Sequence, residues 1–97
     1  MRITFDPIQR AATLRQFGLD FQRAREVFAG WHLTLADPRK LYGERRFLTA
    51  GRLDDQLVTL VWTSRGSARR ILRMGRVTWR EMQSVTARWA VILKAKC

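Results

Sequence analysis

Residues 46–76, RFLTAGRLDDQLVTLVWTSRGSARRILRMGR, decide the fold. Arg46 to Arg52 and Leu57 to Thr63 are two β-rich runs, and Leu53-Asp54-Asp55-Gln56 between them reads as a hairpin connection. Ser64-Arg65-Gly66-Ser67 reads as a second turn, and Arg69 to Arg76 as the last strand. In the middle run Val58, Leu60 and Trp62 recur at every second position, which assigns Trp62 to the core. Just upstream, Trp31, Leu33 and Leu35 alternate with His32, Thr34 and Ala36, so a further strand precedes the Asp37-Pro38 turn.

The rhythm on either side is helical. Residues 2–5 alternate as a short first strand, and Asp6-Pro7-Ile8-Gln9 then opens a helix. Asp6 stands as N-cap, Pro7 at the first helical position and Gln9 three after the cap. Ile8, Ala11, Leu14 and Phe17 form its apolar stripe, and Gly18 is placed to end it in a left-handed turn. Asp20 caps a second helix whose apolar face is Phe21, Ala24, Val27 and Phe28, and Gly30 stops it. Thr78 and Glu81 have capping-box spacing ahead of a final helix carrying Met82, Val85, Trp89 and Ile92.

The order β-α-α-β-β-β-β-α predicts an α+β fold. Two N-terminal helices and a C-terminal helix pack on a mainly antiparallel sheet of three to four strands from residues 31–76, the first strand at its edge. Ile8, Leu14, Phe21, Val27 and Phe28 are the helical side chains expected to face that sheet. Neither a repeat nor a low-complexity linker divides the chain, so residues 1–97 are expected to form a single domain.

Composition narrows the function. The chain has 97 residues, 46% of them apolar, enough to bury a core. Its net charge of +11 is unevenly spread: residues 1–43 carry seven bases and four acids, residues 44–97 twelve and four. Sixteen of the nineteen bases are Arg, whose planar fork suits phosphate oxygens. A polyanionic partner is therefore expected, either nucleic acid or an acidic protein. A membrane partner is not expected, because the apolar runs are too short to span a bilayer and no charged-then-apolar leader opens the chain. Cys97 alone can form neither an internal disulfide nor a zinc site, and no glycine-rich phosphate or dinucleotide loop is present. No cofactor is implied, and a reducing, cytoplasmic location is expected.

Several segments together carry a resemblance. They are Phe5-Asp6-Pro7, Phe17-Gly18-Leu19-Asp20-Phe21, Asp37-Pro38-Arg39, Gly43-Glu44, Arg46-Phe47-Leu48-Thr49, Gly51-Arg52, Arg65-Gly66, Arg70-Ile71-Leu72 and Arg80-Glu81. In that order, over about residues 3–82, the chain resembles the BrnT toxins of the RelE/ParE-like superfamily. The resemblance implies a type II toxin that acts as a ribonuclease and stops translation. It also implies a cognate antitoxin, a DNA-binding ribbon-helix-helix protein like BrnA, that inhibits it by direct contact in a hetero-oligomer. One departure stands out: the first Arg of the family's last-strand motif is Gly75 here.

RNA cleavage through the 2′-hydroxyl needs a base, charge stabilisation at phosphorus and a proton for the leaving oxygen. Arg supplies the second but cannot be the base near neutral pH. As the chain's one imidazole, His32 is the first candidate base, and Tyr42 and Glu44 are weaker candidates, with Glu44 expected to pair with Arg45 or Arg46. Strict alternation puts Arg69, Ile71, Arg73 and Gly75 on one face of the last strand and Arg70, Leu72, Met74 and Arg76 on the other. Arg52, Arg65, Arg73 and Arg76 are accordingly the expected catalytic residues, and Arg69, Arg70 and Arg80 the expected nucleic-acid contacts. Arg73 lies on the same face as Gly75 and is expected to stand in for the missing Arg. Trp79 reads as either a base-stacking ring or core cover. Two other readings compete with a ribonuclease: a basic binding module without turnover, and a gyrase inhibitor of the ParE kind.

Overall fold

The computed structural model describes residues 1–37, 44–78, 80, 81 and 83. Its elements are β1 (Arg2–Phe5), α1 (Pro7–Phe17), a 3₁₀ turn (Phe21–Arg23), α2 (Ala24–Ala29), β2 (His32–Ala36), β3 (Arg46–Leu53), β4 (Gln56–Arg65) and β5 (Ala68–Arg76). The five strands form one sheet in the order β1-β5-β4-β3-β2. Pairing from β5 to β2 is antiparallel, whereas β1 lies parallel to β5 at the sheet edge. The α+β class and the edge position of the first strand agree with the sequence. The sheet is larger than expected and mixed, because β1 joins it beside the last strand through a pairing that no local pattern encodes.

Local chemistry sets the element ends as expected. Asp6 accepts from the Ile8 amide at 2.9 Å, with Pro7 in the first turn where a missing N–H costs nothing. Gly18 closes α1 at φ 70°, its N–H bonded to the Leu14 carbonyl at 2.9 Å. Asp20 accepts from the Gln22 amide at 2.9 Å, but the helix it starts is split into the 3₁₀ turn and α2. Thr78 and Glu81 make the reciprocal capping bonds, with the Glu81 amide donating to Thr78 Oγ1 at 3.1 Å. Beyond this cap, Arg80, Glu81 and Gln83 are helical. Tyr42, Trp79, Met82, Val85, Trp89 and Ile92, on which the sequence placed expectations, lie outside the described residues.

Two tight turns fix the sheet register. Asp54 and Asp55 both have positive φ, 52° and 61°, as a two-residue hairpin turn matched to strand twist requires. Arg23 holds this turn, donating to both oxygens of Asp54 at 2.6 and 2.8 Å and to Glu26 at 2.7 and 3.0 Å. The second turn pairs Arg65 with Ala68, one residue later than the sequence suggested, with Gly66 at φ 59°. A β-bulge follows. Val61 faces Arg73 and Trp62 faces Ile71, so Leu72 is the extra residue.

Leu19, Phe21, Ala24, Val27 and Phe28 pack over one sheet face against Ile3, Val58, Leu60, Trp62, Ile71 and Met74. Burying the largest of these side chains contributes about 1.5–3 kcal/mol each. Trp62 stacks on Phe47 at 4.5 Å, meets Phe28 edge-on at 5.6 Å and donates its Nε1–H to Thr49 at 2.8 Å. α2 lies so close to β3 that a Cβ on Gly51 would stand 2.8 Å from Val27. Phe21, Val27 and Phe28 thus face the sheet as predicted. Ile8 and Leu14 do not: they are 79% and 43% exposed, and no residue of α1 is buried. The sheet surface they were assigned to is already filled by Leu19 to Phe28. α1 is tethered instead by polar contacts, chiefly Arg10 to both oxygens of Asp20 at 2.7 and 2.9 Å. Among the described residues, no helix is long and apolar enough to cross a membrane.

Candidate functional site

The bulge at Leu72 decides which arginines meet. Residues directly opposite each other in an antiparallel pair project to the same face. Met74 and Arg76 therefore share the helix-covered face with Leu60 and Val58, and Ile71 and Arg69 share it with Trp62 and Ser64. Arg70, Arg73 and Gly75 project to the far face with Thr63, Val61 and Thr59. The expected grouping of Arg69 with Arg73, and of Arg70 with Arg76, is thus corrected. The extra residue reverses the alternation between Ile71 and Arg73.

The two faces give the same side chain different surroundings. Arg69 lies over the rings of Phe28 and Trp62, 4.4 and 4.7 Å from their centroids. Arg76 donates to Gln56 Oε1 at 2.6 Å and to the Phe17 carbonyl at the end of α1, where a cation complements the helix dipole. On the far face, Arg70 pairs across β4 with Thr63, and Thr63 in turn with Arg46 of β3, so the three form one row. Arg70 and Arg46 are two strand spacings apart, roughly 10 Å at the backbone. Thr63, buried between them, donates to the Arg45 carbonyl at 2.7 Å. Thr4 of β1 extends the row on the other side.

A cleft of about 330 Å³ opens over this row, lined by Arg46, Arg70, Leu72 and Arg73 from the sheet and by Asp6 and Gln9 from the start of α1. Arg73 is exposed, and neither it nor Arg70 makes an ion pair with a described residue. Arg70 and Arg73, with Arg46 beside them, give the concavity a positive field, and the forks of Arg70 and Arg73 can bind phosphate oxygens in pairs.

The other expected site residues lie elsewhere. Arg52, opposite Leu57 at the hairpin end, is four residues along β4 from the partner of Arg73, roughly 13 Å. Arg65 lies equally far in the other direction and pairs with Glu44 at 3.0 Å, so Glu44 is engaged there rather than by Arg45 or Arg46. Arg80 is exposed in the segment capped by Thr78 and does not line the cleft. His32 stands on edge strand β2, opposite Gly51 on the helix-covered face. Its Nδ1–H donates to the Gly30 carbonyl at 2.8 Å, and its ring packs edge-on to Phe28. It is three strands from β5 and on the wrong side to serve the cleft.

Elsewhere, the Arg10 hydrogen bond holds the Asp20 carboxyl below its ordinary range, and Arg23 does the same to Asp54 and Glu26. These pairs fasten α1, the 3₁₀ turn and the hairpin rather than serve the cleft.

Sequence reasoning missed Arg46, Asp6 and Gln9 as cleft residues. Arg46 was within reach: counting back from turns at 54–55 and 66–67 puts Arg46, Thr63 and Arg70 in line. The one-residue misplacement of the second turn hid that row. Asp6 and Gln9 were read only as helix-start residues, since their approach to β5 depends on the parallel β1 pairing.

Comparison with curated proteins finds no match. Over residues 5–81, however, the chain matches the model of the ribonuclease toxin BrnT of type II toxin–antitoxin systems, a span that includes every residue of the cleft, and it belongs to that family.

Proposed function

We propose that this chain is an endoribonuclease toxin that cuts RNA at the far-face cleft without a metal or cofactor, arrests translation and is silenced by direct binding of its antitoxin. The observation that carries the reading is the convergence of Arg46, Arg70 and Arg73 on one concavity. Arg70 and Arg73 hold the scissile phosphate, and their positive charge stabilises the extra negative charge at phosphorus in the transition state. In this reading residues 1–97 act as one RelE-like domain in the cytoplasm. The antitoxin is an acidic, BrnA-like ribbon-helix-helix protein that covers the basic face in a hetero-oligomer.

Inducing the chain alone and following total RNA, protein synthesis and growth tests the reading. RNA loss with translation arrest supports it. Growth arrest with intact RNA points to another target. A second reading, a basic module that binds without turnover, is favoured by Gly75, since the family's motif Arg is absent from the strand that carries Arg73. It expects neither RNA loss nor arrest.

A further inference from the structure

We propose that Asp6 is the general base of the cleft, taking the proton from the 2′-hydroxyl of the nucleotide whose phosphate the arginines hold. The inference rests on the ribonuclease reading above and supplies the group that reading lacks, since Arg cannot accept a proton near neutral pH.

Three observations carry it. First, Asp6 lines the cleft together with Arg46, Arg70 and Arg73, and among the described residues it is the one carboxylate that does so. Five other acids are committed elsewhere: Asp20 to Arg10, Glu26 and Asp54 to Arg23, Glu44 to Arg65, and Glu81 to Thr78. Second, the α1 cap uses Oδ1, which accepts from the Ile8 amide at 2.9 Å, and no described residue is bonded to Oδ2. One oxygen thus fixes the side chain while the other remains available to the cleft. Third, Asp6 directly follows β1, whose Thr4 pairs with Arg70. The carboxylate is therefore held by the same strand pair that positions the phosphate-binding arginine. His32, the alternative base, is on the opposite face.

The step balances without a further reagent. Oδ2 accepts the 2′-hydroxyl proton, O2′ forms a bond to phosphorus, and the bond from phosphorus to O5′ breaks. Solvent water protonates O5′, and the resulting hydroxide recovers the proton from Asp6. The products are a 2′,3′-cyclic phosphate and a 5′-hydroxyl.

The test is Asp6→Asn in the full chain, because Asn caps a helix as well as Asp while its amide cannot accept the proton. Cleavage of a short RNA is expected to slow by about 100-fold or more, in keeping with the loss of a general base. The melting temperature and the affinity for a 2′-O-methylated, uncleavable RNA should stay within error or improve. The acid limb of the pH–rate profile should disappear. Asp6→Asn cleaving within about threefold of the parent would overturn the assignment and leave the ribonuclease reading intact. So would a loss of affinity that matches the loss of rate. Failure of the parent itself to cleave RNA, with parent and Asp6→Asn both binding it, would overturn the ribonuclease reading and this inference with it.

Discussion

On the helix-covered side of β5, Arg69 lies across Phe28 and Trp62, and Arg76 holds Gln56 and the last carbonyl of α1; on the far side, Arg70 and Arg73 border a cleft. All four belong to one nine-residue strand. An excess of arginine is therefore not itself a site. A guanidinium over aromatic rings or at a helix end is already satisfied, and its removal costs stability. A guanidinium across an open cleft from two others adds little to the fold and much to anion binding. The single extra residue at Leu72 does the sorting.

This contrast can be broken by mutation. The largest expected effect is on Arg73→Ala and Arg70→Ala, each slowing RNA cleavage by about two to three orders of magnitude with an unchanged melting curve. A similar loss in Arg76→Ala, once corrected for folded fraction, would erase the distinction between faces. Next is Arg69→Ala. Losing contacts over two rings should cost about 1–2 kcal/mol, lowering the melting temperature by roughly 4–8 °C per kcal/mol, while cleavage per folded molecule is retained.

A smaller effect concerns acid. Because Arg10 lowers the folded-state pKa of Asp20, the pair's contribution is fully present above the unfolded carboxyl value of about 3.9 and is lost as pH falls through the lower folded value. Asp20→Asn should therefore melt a few degrees below the parent at pH 7, and the two should converge near pH 2. The smallest effect is expected of Gly75→Arg. A Cβ there meets no atom within 4 Å, so the substitution should fold normally. Placed on the face of Arg73, it should raise cleavage, tighten RNA binding a few-fold and steepen the salt dependence by about 0.7 in log–log slope. An unchanged slope would show that position 75 does not face the bound strand.

Much of this architecture can be read from side-chain spacing. Caps at Asp6 and Asp20, the stop at Gly18, the hairpin at Asp54-Asp55 and the core positions Phe21, Val27, Phe28 and Trp62 are local signals with local causes. What escaped is non-local. β1 pairs with β5 across more than sixty residues, and nothing in either strand's pattern names its partner. Competition for the sheet surface left Ile8 and Leu14 outside, although their spacing puts them on one side of α1. The bulge is the most consequential case. A period of two is reliable only while the ladder is regular, and one unpaired residue moves every arginine beyond it to the other face. Family resemblance points to the class of chemistry to look for, but only register says which guanidinium groups converge.

The most direct test follows the arginine side chains themselves. In a ¹⁵N-labelled sample titrated with a 2′-O-methylated RNA oligonucleotide, the Nε–Hε resonances of Arg46, Arg70 and Arg73 should shift together and saturate with one affinity, while those of Arg69 and Arg76 stay in place. Equal shifts on both faces of β5, or movement confined to Arg69 and Arg76, would contradict the assignment of the far-face cleft as the RNA site.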